Sequence, residues 1–214
     1  MTHASLGIIR HEHRALSAML RSVTLLLGEH RQRGSLPDFG ALRAMLFYVD
    51  EFPEKLHHPK ETQLLFPKLR GLDAHVDSVL DRLGHDHTRG EHAVRELEHA
   101  LTAFEMVAET DQREARRQVF EAAVQKYTAF YLEHMRLEEA IVLPLAESAL
   151  GAADWAELDA AFRTNRDPLT GHEVDDSYRP MFRAILRLLP GGNSIGSALE
   201  ALAGTALPKY REPS

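Results

Sequence analysis

Two segments of the chain place a histidine four residues before a glutamate. They are His57-x-x-x-Glu61 in HHPKETQLLFP and His134-x-x-x-Glu138 in HMRLEEAIVLP, each with a proline ten residues after its histidine. On an α-helix such residues lie about 40° apart round the axis and roughly 6 Å along it, so both side chains reach one point beside the helix. Imidazole plus carboxylate is a donor set for iron, manganese or zinc. A carboxylate also has two oxygens and can bridge two cations. One such pair arises by chance in any helix-rich chain; two in matching contexts carry far more weight.

A second element repeats as well: His11-Glu12-His13 near the start and His85-Asp86-His87 later. The order is therefore H-x-H, H-x-x-x-E, H-x-H, H-x-x-x-E. Residues two apart on a helix point about 200° apart, so one histidine of each H-x-H faces the core. In the first helix His13 falls on the apolar seam of Ile9, Leu16, Leu20, Val23 and Leu27, and His11 does not. In the third, His87 falls on the seam of Val76, Leu80, Leu83, Val94, Leu97, Leu101 and Phe104, and His85 does not. In the fourth, His134 shares a seam with Phe120, Ala123, Tyr127, Phe130, Leu137 and Ile141. Two prolines blur the phase around His57 and His58; the repeat with His134 selects His57. The expected ligands are thus His13, His57, Glu61, His87, His134 and Glu138, with His11, His58 and His85 outside the set. Buried without a cation, two carboxylates and four imidazoles would carry a desolvation cost of several kcal/mol each.

The elements that must position these groups read as helices almost throughout, since apolar residues recur at threes and fours and nothing alternates with period two. The spacing predicts helices over about 3–32, 38–69, 74–109 and 112–149, with Gly71 and Gly151 at helix ends and Thr110-Asp111 as an N-cap. Pro53 and Pro59 fall inside the second and predict a kink. Short connections force antiparallel packing, so the expected architecture is an all-α, up-down-up-down four-helix bundle over residues 1–150. Residues 151–214 are expected to add a helical cap and a flexible tail: a short helix near 155–163, a loop over 165–173 and an amphipathic helix over 178–189.

Composition narrows the classes. There is no cysteine among 214 residues, which excludes thiolate metal sites and a cysteine nucleophile. Thirteen histidines make the chain rich in the commonest metal ligand. The net charge is −7 with both signs interspersed and no basic block, so nucleic acid is not an expected partner. No apolar stretch is long enough to span a membrane, and the opening residues lack a signal-peptide pattern. The expected location is the cytoplasm.

The ordered set His13, His57-x-x-x-Glu61, His87, His134-x-x-x-Glu138 resembles the hemerythrin-like (HHE cation-binding) family over residues 1 to about 150. FPEKLHHPKETQLLFP and DWAELDAAFRTNRDPL look like a bacterial branch of it. The resemblance implies two iron ions, oxo- or hydroxo-bridged, that bind dioxygen or nitric oxide. The family's oxygen carriers have a fifth histidine four residues after the third-helix ligand, where this chain has Glu91. With two nitrogens and two carboxylate oxygens each, both metals would keep an open position, which points away from simple oxygen carriage. Glu91 and Tyr127 are the residues expected to line the vacancy, and Gly90 to leave room for a small molecule. The leading expectation is a di-iron protein that binds or senses dioxygen, nitric oxide or peroxide in stress response or iron homeostasis. Iron donation for iron–sulfur cluster repair, a peroxidase-like activity and a non-redox zinc bundle are the alternatives, and a homodimer is compatible with the sequence.

Overall fold

The computed structural model describes residues 3–170 and Ile185. Five helices run through the described residues, with no strand among them: α1 (Ala4–Arg33), α2 (39–69), α3 (Ala74–Met106), α4 (113–149) and α5 (Ala152–Phe162). The expected helix over 178–189 and the tail beyond it lie outside the described residues, Ile185 apart.

Each helix boundary has a local cause. Asp38 caps α2 by accepting from the Ala41 N–H, and Asp73 caps α3 by accepting from His75 and Val76. Gly34 ends α1 at φ 64°, and the N–H of Ser35 reaches back to the His30 carbonyl, the usual closure at a left-handed C-terminus. Thr110-Asp111 does not cap α4 as expected. Gln112 is the N-cap, and Thr110 Oγ1 accepts from its N–H at 3.3 Å instead.

Connections over 34–38, 70–73 and 107–112 are too short for anything but antiparallel neighbours. Arg31 pairs with Glu121 and Arg10 with Glu147, so the end of α1 meets the start of α4 and the start of α1 meets its end. Arg43 with Glu105, and Thr62 with His87, set α2 against α3 in the same way. Arg82 with Glu133 and Phe104 against Phe120 do so for α3 and α4.

The core falls into two apolar layers. One holds Leu20, Val23, Met45, Tyr48, Leu97, Phe104, Phe120 and Tyr131; the other holds Leu6, Ile9, Leu65, Leu69, Leu80, Leu83, Leu143 and Ala146. All six expected ligands lie between these layers along the helices. α5 belongs to the second layer through Trp155, Leu158 and Phe162. It is tied to α1 by Asp159, which accepts from the N–H and the hydroxyl of Ser5 at 2.8 and 2.7 Å, and by Trp155 stacked on His3.

A kink is expected at Pro53 and Pro59 of α2; what is found there, and again before Pro67 and before Pro144 of α4, is a widened turn. Asp50–His57, Glu61–Leu65 and Glu138–Val142 are π-helical turns. Their closing bonds run from His58 N to the Pro53 carbonyl, from Phe66 N to Glu61 and from Leu143 N to Glu138. In each case the donor immediately precedes a proline: Pro59, Pro67 or Pro144. A proline has no N–H to give the carbonyl four residues back, and its ring would clash with that carbonyl. A turn closed five residues back takes in one more residue and relieves both problems without breaking the helix. One extra residue shifts the helical phase by about 100°, and this decides which side chains of α2 reach the site.

Candidate metal centre

The six expected ligands converge. His13, His57, His87 and His134 are buried, and Glu61, His134 and Glu138 are 0 % exposed. Three overlapping groups have donor atoms all within 4.8 Å of one another: His13, His57 and Glu61; Glu61, His87, His134 and Glu138; and His58, His87 and His134. Glu61 belongs to two of them, as a bridging carboxylate would. His11 and His85 stay outside, with Nδ1 against the carbonyls of Gly7 and Asp81, as their phase requires.

The imidazoles share one orientation. Nε2 of His13 lies 3.2 Å from Glu138 Oε2, that of His57 3.1 Å from Glu61 Oε1, and that of His134 3.2 Å from Glu138 Oε1. Nε2 of His87 is 3.5 Å from Glu61 Oε2. The Nδ1 atoms point outward to separate partners. Those of His13 and His57 meet Glu139 at 2.9 Å and Glu12 at 2.6 Å; that of His87 meets Thr62 Oγ1 at 2.7 Å, and that of His134 faces Asp86 at 3.7 Å. An outer acceptor on one ring nitrogen fixes the tautomer and turns the other nitrogen's lone pair inward, as in metal-ligating histidines.

Cation binding is tested by the polar atoms left over. Both oxygens of Glu61, both of Glu138 and Nε2 of His57 are buried without a hydrogen-bond partner, though imidazole nitrogens stand close by. Nε2 of His87 and Nε2 of His134 lie 3.1 Å apart. Orphaned buried carboxylate oxygens are rare because each costs its full desolvation, and a cation among them removes that cost. The donor set therefore fits a metal site. Without a cation, protons take part of that role. Burial opposes charge on His134, but Glu138 and Asp86 outweigh it and raise its pKa to about 10. Burial likewise opposes charge on Glu138, yet His134 and His13 hold its carboxyl well below the usual range.

Four expectations need correction. His58 does not point away: it is buried, its ring stacks on that of His87 at 4.3 Å, and its Nδ1 lies 3.0 Å from Glu54 Oε2. The widened turn ahead of it buries His58 beside His57, although the repeat with His134 selects His57 alone. Glu91 does not line the cluster; its side chain is 53 % exposed and reaches Arg95. Tyr127 is buried, but its hydroxyl donates to Glu54 Oε1 at 2.8 Å, one residue removed from the imidazoles. The space at Gly90 is not open either, because Tyr131 and Glu54 fill it.

Several contributing residues were not anticipated. Glu54 stands four residues before His58, the reverse of the His-x-x-x-Glu spacing, and could have been found by it. Tyr131 follows Tyr127 by one turn on the α4 seam and also donates to Glu54. Glu12 sits between the two histidines of the first H-x-H. The run DWAELDAAFRTNRDPL carries only a resemblance, and no spacing within it signals Asn165, whose amide donates to Glu12 at 2.9 Å, or Asp167, which accepts from the Tyr48 hydroxyl at 2.7 Å. Both are buried and, with Glu12, His13, Leu16, Phe52, Leu56, His57 and His58, they line a small cavity beside the histidines.

A helical bundle with buried histidine and glutamate donors between two apolar layers defines the class of cation-binding helical proteins. Within that class the chain belongs to the hemerythrin HHE cation-binding domain family, whose model matches residues 5–146. No curated protein and no solved structure matches the chain. No described helix is long and apolar enough to cross a membrane.

Proposed function

We propose that the chain holds two iron ions and binds or senses dioxygen, nitric oxide or peroxide. The observation that carries this reading is the pair of fully buried carboxylates, Glu61 and Glu138, with all four oxygens unpartnered among converging imidazoles. In this reading His13, His57, His87, His134, Glu61 and Glu138 would hold the two ions, with Glu61 and Glu138 between the two pairs of histidines. Mixed nitrogen and oxygen donors suit iron. When bound, the iron pair supplies an open coordination position and a change of oxidation state.

The chain's own residues do the rest. Glu139, Glu12 and Thr62 hold the imidazoles of His13, His57 and His87 in place, and Asp86 lies 3.7 Å from Nδ1 of His134. Leu16, Phe52 and Leu56 give the neighbouring cavity an apolar wall. That cavity has room for about one water-sized molecule, which suits a ligand of two or three atoms and no larger substrate. The complete burial of both bridging groups favours a resident centre over iron that is delivered elsewhere. A role in stress response or iron homeostasis follows from such ligands.

Metal analysis of protein from iron-supplied cells, followed by anaerobic titration with dioxygen and nitric oxide, tests the reading. About two iron atoms per chain and a visible spectrum that changes with either gas are expected. Zinc alone, or iron that responds to neither gas nor to peroxide, would exclude it.

A further inference from the structure

We propose that His58 is a fifth imidazole ligand, on the same metal as His87 and His134, held in place by a clamp of Glu54, Tyr127 and Tyr131. The proposal rests on the di-metal reading above and changes its symmetry: one position has three histidines and the other, at His13 and His57, has two.

The placement of the ring is the first support. The donor atoms of His58, His87 and His134 all lie within 4.8 Å of one another. Two donors each about 2.1 Å from one cation are at most about 4.2 Å apart, so the donor atoms are near that limit already. The His58 and His87 rings, 14° from parallel, must turn to aim their in-plane lone pairs at one ion. With Nδ1 engaged by Glu54, the ring has Nε2 to offer, as His57 does with Nδ1 engaged by Glu12.

The clamp is the second support. Glu54 is 2 % exposed, and its two oxygens are divided. Oε2 faces His58, while Oε1 accepts from the hydroxyls of both Tyr127 and Tyr131. The Tyr131 ring lies parallel to that of His58 at 5.5 Å, 3° between planes, and the His87 ring lies 4.3 Å from that of His58 at 14°. A histidine that merely filled space would not need a buried carboxylate fixed by two phenols to orient it. The same arrangement requires Gly90, since any Cβ there would overlap the Tyr131 hydroxyl and come 2.8 Å from Glu54 Oε1. The vacancy that the family's oxygen carriers fill from the third helix is filled here from the second, by the π-helical turn that brings His58 inward.

The test uses the full chain, stripped with chelator and reloaded anaerobically with cobalt(II), whose visible bands report coordination number. The unsubstituted chain is expected to bind two cobalt ions. In His58→Phe, which keeps an aromatic ring against His87, one ion should bind about tenfold or more weakly, with altered visible bands. Glu54→Gln should shift the same bands while both ions stay bound. His85→Phe should change nothing. Two ions bound in His58→Phe with unchanged affinity and bands would overturn the proposal and leave the di-metal reading intact. No cobalt or iron bound by the unsubstituted chain would overturn both. Should His58→Phe lose its helical circular dichroism, Glu54→Gln decides the matter, and unshifted bands there would sink the proposal.

Discussion

The Tyr131 hydroxyl occupies the space beside Gly90 that any larger residue would need for its Cβ. α3 and α4 approach closely at this point, and Tyr131 uses the gap to reach Glu54.

Gly90→Ala is therefore expected to destabilise the protein, although alanine is by about 1 kcal/mol the better helix former. Overpacking at a site flanked by a fixed phenol and a buried carboxylate costs about 1–3 kcal/mol. Urea denaturation of the two proteins measures the difference. A Gly90→Ala variant as stable as its parent, or more so, would show that Tyr131 moves away freely.

Glu12 accepts from His57 and from Asn165 through the same oxygen. Glu12→Ala removes the acceptor that orients His57, and metal affinity is expected to fall about 10- to 100-fold. Competition with a chromophoric chelator reads the affinity directly. Asn165→Ala leaves the carboxylate on His57 and should have a smaller effect. Equal losses in the two variants would mean that the 163–170 segment, rather than the ring contact, controls the site.

Metal removal should lower stability, because binding to the folded state alone adds its free energy to folding. Thermal unfolding of loaded and chelator-treated chains should differ by several degrees or more. In Glu61→Gln, where one bridging group loses its charge, the gap should narrow markedly. A gap of unchanged size would remove Glu61 from the centre.

Asp167 gives a pH dependence that the metal-free chain should show. Burial pushes its carboxyl up from 3.8 to about 7, against the opposing hydrogen bonds from Tyr48 and the Leu169 N–H. Glu12 raises it further, and His57 lowers it. Between those two values the folded chain binds a proton here that the unfolded chain has released. The group thus favours the folded state in acid, and its contribution is lost as pH rises through about 7. Asp167→Asn should lose that slope, so that its stability relative to the parent rises from pH 5 to pH 8. Urea titrations of both proteins across that range, after chelation, measure it; parallel curves would show that Asp167 is ionised throughout.

The sequence by itself determined the bundle and most of its centre. Apolar residues at threes and fours fixed four long helices, and the repeated His-x-x-x-Glu pairs, with the phase of His13 and His87 on their seams, singled out six residues that the fold brings together. These readings succeed because an α-helix is periodic, so spacing in the chain becomes direction in space. Only the tertiary structure decided what departs from that period. The π-helical turn ahead of Pro59 adds a residue and accompanies the burial of both His58 and Glu54, where the repeat with His134 leaves His58 outside. Glu91 has the right spacing from His87 but points to solvent, since α3 shows only one face to the interior. Asn165 and Asp167 reach the site from an irregular segment, where no period links position to direction and the packing of α5 against α1, with the bonds to Glu12 and Tyr48, sets their place.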